Sequence, residues 1–219
     1  MDKRPTRTDE DELGRRIDIL DAARRVLDRS EMDGFTLDDV TAELGLATGT
    51  LDRSVPTREA LLLALTADEY TVWFDRLDRE VPASSDVAAT VVAACMAQPR
   101  LLRLLSVSAS VLGRTVPVDT AHEFEATLIA RRSATAALLA ERLPTTVAGA
   151  RRLLLHVHAS AVGLYHHAIP TAIGRQSVAG PIDATEPEAD LELELLHAVR
   201  ALVAAVPVIR QQVARRRDR

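Results

Sequence analysis

The chain has 219 residues, a formal net charge of −5, one cysteine and only 3% aromatic residues. That length suits one large domain or two small ones, and 47% hydrophobic with 27% charged residues excludes a wholly disordered chain. The acidic balance argues against a protein that simply coats nucleic acid. The lone Cys95 excludes an internal disulfide and a cysteine-rich metal site, and the charged opening MDKRPTRTDEDE is not expected to be a secretory signal.

Apolar residues recur at helical spacing along the whole chain and no period-two strand emerges, so the expected fold class is all-α. The first helix is expected over 12–29, with Leu13, Ile17, Leu20, Ala23 and Leu27 on one face. Asp33-Gly34 signals a turn, and Thr36 then caps a short second helix, with Asp39 three residues on as an approximate capping box. That helix is expected to end at Gly45, the residue best able to take a left-handed conformation. A third short helix covers 47–54, and Pro56-Thr57 stops it. Thr57 caps a long fourth helix through 80. After a break at Pro82, helices are expected over 85–98, 99–112, 118–143 and 145–168. A loop over 169–187 holds three of the ten prolines, and a last helix spans 188–216, which Pro207 is expected to kink or end early. The longest uncharged stretch, 153–174, is just long enough to cross a bilayer. It carries His156, His158, His166, His167 and Pro170, however, and reads as a buried helix of a cytoplasmic protein with no membrane partner.

The charge is unevenly spread. Residues 1–66 hold ten basic and fifteen acidic side chains, so the whole deficit of −5 lies there, and the remaining 153 residues are neutral. This division matches the expected domains: a helix-turn-helix domain over 1–66 and a helical ligand-binding and dimerisation domain over 67–219.

Two short helices joined by a tight glycine turn, with Val40, Leu44 and Leu51 as their inner contacts, form a helix-turn-helix pattern. Such a unit can present its second helix to a major groove. The surrounding run GFTLDDVTAELGLATGTLDRSVPTREALLLAL closely resembles the N-terminal domain of the TetR family of bacterial transcription regulators. The resemblance spans about residues 12–70. It rests on Ala22-Ala23, Gly34-Phe35-Thr36, Val40, Ala42, Gly45-Leu46, Gly49-Thr50-Leu51 and the run Pro56 to Leu61. It implies a ligand-responsive repressor that binds an operator DNA as a homodimer. Thr48, Gly49 and Thr50 would meet base edges. Thr36 and Arg58, each at a helix start, would grip phosphates, and Arg53 would add a phosphate or base contact. The basic arm of Lys3, Arg4 and Arg7 would add further phosphate contacts.

The chain departs from the family pattern at three positions: Asp52 replaces the usual Tyr, Val55 the usual Phe and Ala47 the usual Ser. An anion at Asp52 facing a phosphate about 4 Å away would be repelled by roughly 1 kcal/mol in water-like surroundings. The competing reading is therefore a protein of the same fold that binds a ligand or a protein, its reading head weakened or no longer gripping DNA.

In the second domain the helix over 145–168 carries two stripes, one of Leu154, Val157, Ala161, Leu164 and Ala168, the other of His158, Val162, Tyr165 and Ile169. The last helix carries Leu195, Val199, Leu202, Val206, Ile209 and Val213 as a heptad-like seam. The resemblance implies that these last two long helices pair between two copies. It also implies an effector cavity bounded by Trp73, Phe74, Met96, Phe124, His158 and Tyr165, suited to a small apolar or amphipathic molecule. A metal is not expected. His156 and His158 point roughly 160° apart on a helix, and the adjacent His166 and His167 also diverge. No nucleophile–base arrangement, phosphate-binding glycine loop or paired carboxylates suggest an enzyme, and no cofactor is implied.

Overall fold

The computed structural model describes residues 7–47, 50–51, 55–111, 116, 118–168 and 190–217, with side chains described outside 7–10, 108–111 and 206–217. Among these residues there are eight α-helices and no strand: α1 (Arg7–Arg29), α2 (Leu37–Glu43), α3 (Arg58–Glu80), α4 (Val87–Met96), α5 (Pro99–Val111), α6 (Val118–Arg142), α7 (Val147–Ala168) and α8 (Leu191–Arg217). Single 3-10 turns at Met32–Gly34 and Val81–Ala83 separate α1 from α2 and α3 from α4. The chain divides into two compact units, one of Met1–Asp68 with Ser108–Phe124 and one of Glu69–Val107 with Glu125–Arg219.

In the first unit, α1 buries Leu20, Ala23 and Leu27 as its periodicity predicts, together with Ile19, Ala22 and Val26. Leu13 and Ile17, expected on the same face, are half exposed or more, so the apolar stripe is longer than the core that receives it. Thr36 caps α2: its hydroxyl oxygen accepts the Asp39 N–H at 3.2 Å and its O–H donates to the Asp39 carboxylate at 2.5 Å. Gly45 ends the helix with a φ of +68°, the only positive φ among the described residues. The Leu46 N–H reaches the Thr41 carbonyl and the Gly45 N–H the Ala42 carbonyl, each at 3.0 Å, which satisfies two carbonyls the helix end would leave unpaired. Val40 and Leu51 are fully buried on either side of this turn, and Leu44 is half-buried. The expected third helix, 47–54, falls largely outside the described residues. Among the described residues there, the Thr50 N–H donates to the Ala47 carbonyl and the Val55 N–H to the Leu51 carbonyl.

Thr57 caps α3 as expected, its hydroxyl accepting the Ala60 N–H at 3.0 Å. In the second unit the helix expected over 85–98 runs over Val87–Met96, capped by Asp86, whose carboxylate accepts the Ala89 N–H. On α7, Leu154, Val157 and Ala161 are buried, while the second expected stripe is only half-buried where it is described. On α8, Leu195 and Val199 are fully buried within this one chain, and α8 packs against α7 and α4. The first two of the six expected seam positions are therefore internal core. The helix also continues through Pro207 to Arg217, so the proline does not end it. A single proline removes one backbone bond, which a long helix can absorb. The expected loop over 169–187 lies outside the described residues. Among the described residues no single helix is long and apolar enough to cross a membrane.

Candidate nucleic-acid interface and effector site

The head is riveted by exposed charge. Arg25 on α1 donates from Nε to Glu43 of α2 at 2.6 Å, and Arg29 donates to the other oxygen of the same carboxylate. The bond from Arg25, then that from Arg29, holds the Glu43 carboxyl below its ordinary range. Arg24 bonds Asp21 on its own helix and Asp68 on α3. Asp38 and Asp39 stand exposed in the first turn of α2.

Of the six residues expected at DNA, three lie within the described structure. Thr36 is exposed and already engaged as a cap. Thr50 is exposed. Its hydroxyl donates to the Ala47 carbonyl, and its own carbonyl accepts from Arg15 at 3.4 Å. Arg58 is turned inward: Nε donates to the Phe35 carbonyl at 2.8 Å and an Nη to the Met32 carbonyl at 2.6 Å. Its other Nη lies 3.6 Å from Glu59. Thr48, Gly49 and Arg53, and with them Asp52, lie outside the described residues, as do Lys3 and Arg4 of the arm.

The second unit assembles an aromatic cluster around a buried polar pair. Tyr70, Trp73 and Phe74 follow one another on one side of α3, with ring centroids 4.9–6.3 Å apart, and the His158 ring of α7 stacks on Tyr70 at 6.0 Å. The Tyr70 hydroxyl lies 2.6 Å from His158 Nδ1. Burial pushes the tyrosine well above its ordinary value, and burial, helped by the charge of Arg132, pulls the histidine below its own. Both shifts favour one arrangement: Tyr70 keeps its proton and donates it to a neutral imidazole, whose remaining proton then sits on Nε2. Burial also pushes the Cys95 thiol up to about 12, against a smaller opposing pull from the Trp73 indole. A thiol is a weak acceptor, and the buried Trp73 N–H has no full hydrogen bond in the structure. Behind the cluster the fully buried Glu69 accepts from Arg100 at 2.8 Å, and Arg131 lies 6.0 Å over the Phe74 ring while pairing with Asp75 and Asp78.

Of the six residues expected around an effector, the structure brings together Trp73, Phe74 and His158. Met96 and Tyr165 are half-buried in the same unit, and Phe124 belongs to the first unit. An open cleft in the second unit, lined by residues such as Asp86, Arg142 and Arg200, includes none of the six. Sequence reasoning missed Tyr70, although its place three and four residues before Trp73 and Phe74 puts it on their face of the helix. It also missed Glu69–Arg100, whose partners are 31 residues apart with no pattern linking them. No cluster of three or more metal-binding side chains occurs among the described residues.

A family model described as the tetracyclin repressor-like C-terminal domain matches residues 67–206, well over half of the chain. No curated protein matches it.

Proposed function

The chain belongs to the tetracyclin repressor-like family, and from that premise we propose that it is a DNA-binding transcription regulator, a repressor released by a small ligand. The observation that carries this reading is the turn between α2 and Leu51. A left-handed Gly45 with its two backbone bonds, flanked by buried Val40 and Leu51, precedes in sequence the matched C-terminal domain of residues 67–206. A helix-turn-helix needs such a rigid turn to present its second helix outward. In this reading Thr48, Gly49 and Thr50 meet base edges, with Thr36 and Arg53 at the backbone. The effector is a small apolar or amphipathic molecule that meets Trp73, Phe74, Met96, His158 and Tyr165 of the second unit.

Two copies pair through α7 and α8. With Leu154, Val157, Leu195 and Val199 internal, the faces left for a partner carry Leu155, Ala159 and Gly163 on α7 and Leu193, His197 and Ala201 on α8, all exposed. Ala159 and Gly163, small residues four apart on α7, allow close helix approach. Helix α3, which starts in the first unit and ends in the second, is the lever. The ligand releases DNA only through a different affinity for the two arrangements of the heads.

The test is a mobility shift with the DNA upstream of its own gene at several salt concentrations. A specific, salt-sensitive shift is expected, and its absence refutes the repressor reading. The second reading, a ligand- or protein-binding member of the fold without DNA grip, is favoured by one observation. Asp38 and Asp39 are exposed on α2, and the nearby cations Arg25 and Arg29 are bound to Glu43. Asp52→Tyr discriminates the two: it tightens DNA binding if residue 52 faces the backbone, and leaves a non-binder unchanged.

A further inference from the structure

Arg58 is the first residue of α3, where a cation is disfavoured by the helix dipole. Its side chain turns away from the helix end. The Nε and one Nη, which form the edge of the guanidinium suited to two parallel bonds, both donate to main-chain carbonyls of the segment leading into α2, those of Phe35 and Met32. The remaining Nη lies beside Glu59, so each of the three nitrogens has a partner. With that edge engaged, what remains for a phosphate is the outer end of the guanidinium, beside the Glu59 carboxylate. The segment it holds is short and irregular: a 3-10 turn at Met32–Gly34, then Phe35, whose side chain is fully buried, then Thr36, the cap of α2.

We propose that Arg58 is a positioning residue: it fixes the lead-in turn of α2 to the first turn of α3, and so sets the orientation of the reading head, without itself contacting a phosphate. This rests on the DNA-binding reading, since what it orients is the helix-turn-helix. It differs from the role the family resemblance implies, and the difference is measurable.

The experiment uses the full-length chain and a random-sequence 30-base-pair duplex, with the wild type, Arg58→Gln and Arg58→Lys compared across a salt series. Far-UV spectra and hydrogen exchange are recorded on each protein without DNA. A positioning role predicts roughly tenfold weaker binding for both variants, with the slope of log affinity against log salt unchanged. It also predicts faster exchange at the Phe35 to Val40 amides. Lysine keeps the charge but not the fixed fork, so it restores neither affinity nor protection. A slope reduced by about one in Arg58→Gln and restored in Arg58→Lys would show a phosphate contact and overturn the proposal. Faster exchange with unchanged affinity would show a merely structural residue and overturn it too. If the wild type binds no duplex at any salt, the regulator reading fails on its own. The exchange data then decide whether Arg58 holds this turn: unchanged exchange in both variants refutes it.

Discussion

In the first unit two of the side chains that tie α1 to α2, Arg25 and Arg29, stand largely in water and bind Glu43. In the second, Glu69 and Tyr70 are buried, and their partners reach them across tens of residues of sequence. Exposed pairs contribute little, so the head depends on its backbone turn and on a small core of Phe35, Val40, Leu51 and Leu27. Buried polar groups are costly if left unpaired, so the second unit is held by packing around satisfied pairs. The contrast accords with the proposed function, in which the first unit reads DNA and the second takes a ligand.

The contrast breaks first at Phe74, which is 1% exposed within the aromatic cluster. Phe74→Ala is expected to cost about 3–5 kcal/mol in urea unfolding. A loss below 1 kcal/mol would mean the cluster is not the core of its unit. In the head the largest effect is expected at Gly45. An added Cβ there would meet no atom within 4 Å, so space is not the constraint. The φ of +68° is, and Gly45→Ala is expected to cost about 1–2 kcal/mol. Gly14, in mid-α1 and equally unobstructed, is the control: Gly14→Ala is expected to stabilise by about 0.5–1 kcal/mol in the same urea unfolding. Equal signs for the two would disprove the backbone argument. Thr36→Ala is expected to cost about 1 kcal/mol through the lost cap, and Thr36→Ser to recover most of it. If Thr36 also grips a phosphate, the alanine variant binds DNA more weakly at temperatures where both proteins are folded.

These head residues are the ones that sequence makes legible. A cap, a capping partner three residues on and a glycine at the helix end act within one turn, so Thr36, Asp39 and Gly45 could be named from spacing alone, as could Thr57. Arg58 shows the limit: its position at a helix start was visible, but its bonds go to carbonyls 23 and 26 residues upstream, which only the fold brings near. On α8 the heptad spacing was real, and Leu195 and Val199 do pack against helices. Periodicity gives a buried face without saying whether a neighbour in the same chain or a second copy buries it. Trp73, Phe74 and His158 were found because aromatic residues are scarce here. Tyr70 belongs with them by helix geometry, and Glu69 was invisible because its burial depends on Arg100.

The smallest effect bears on the second unit and concerns pH. His158 titrates below its ordinary value of 6.5 because it is buried, with Arg132 adding to the effect. In the unfolded chain it binds a proton at the ordinary value, so near and below pH 6.5 the unfolded state holds more protons than the folded one. The stability that goes with a neutral His158 is therefore fully present above pH 6.5 and is lost as the pH falls toward the folded value. Protonation would also remove the Nδ1 acceptor and leave the buried Tyr70 hydroxyl without its partner. Thermal melts from pH 7.5 to 5 are expected to show a falling midpoint, and His158→Gln to flatten that slope while lowering stability at pH 7.5. The acid side of the head behaves differently: the Glu43 contribution persists until the pH falls below about its ordinary value of 4.5. A midpoint that holds constant down to pH 5 in the wild type would mean the Tyr70–His158 pair is not a buried neutral pair, and the distinction between the two units would lose its polar half.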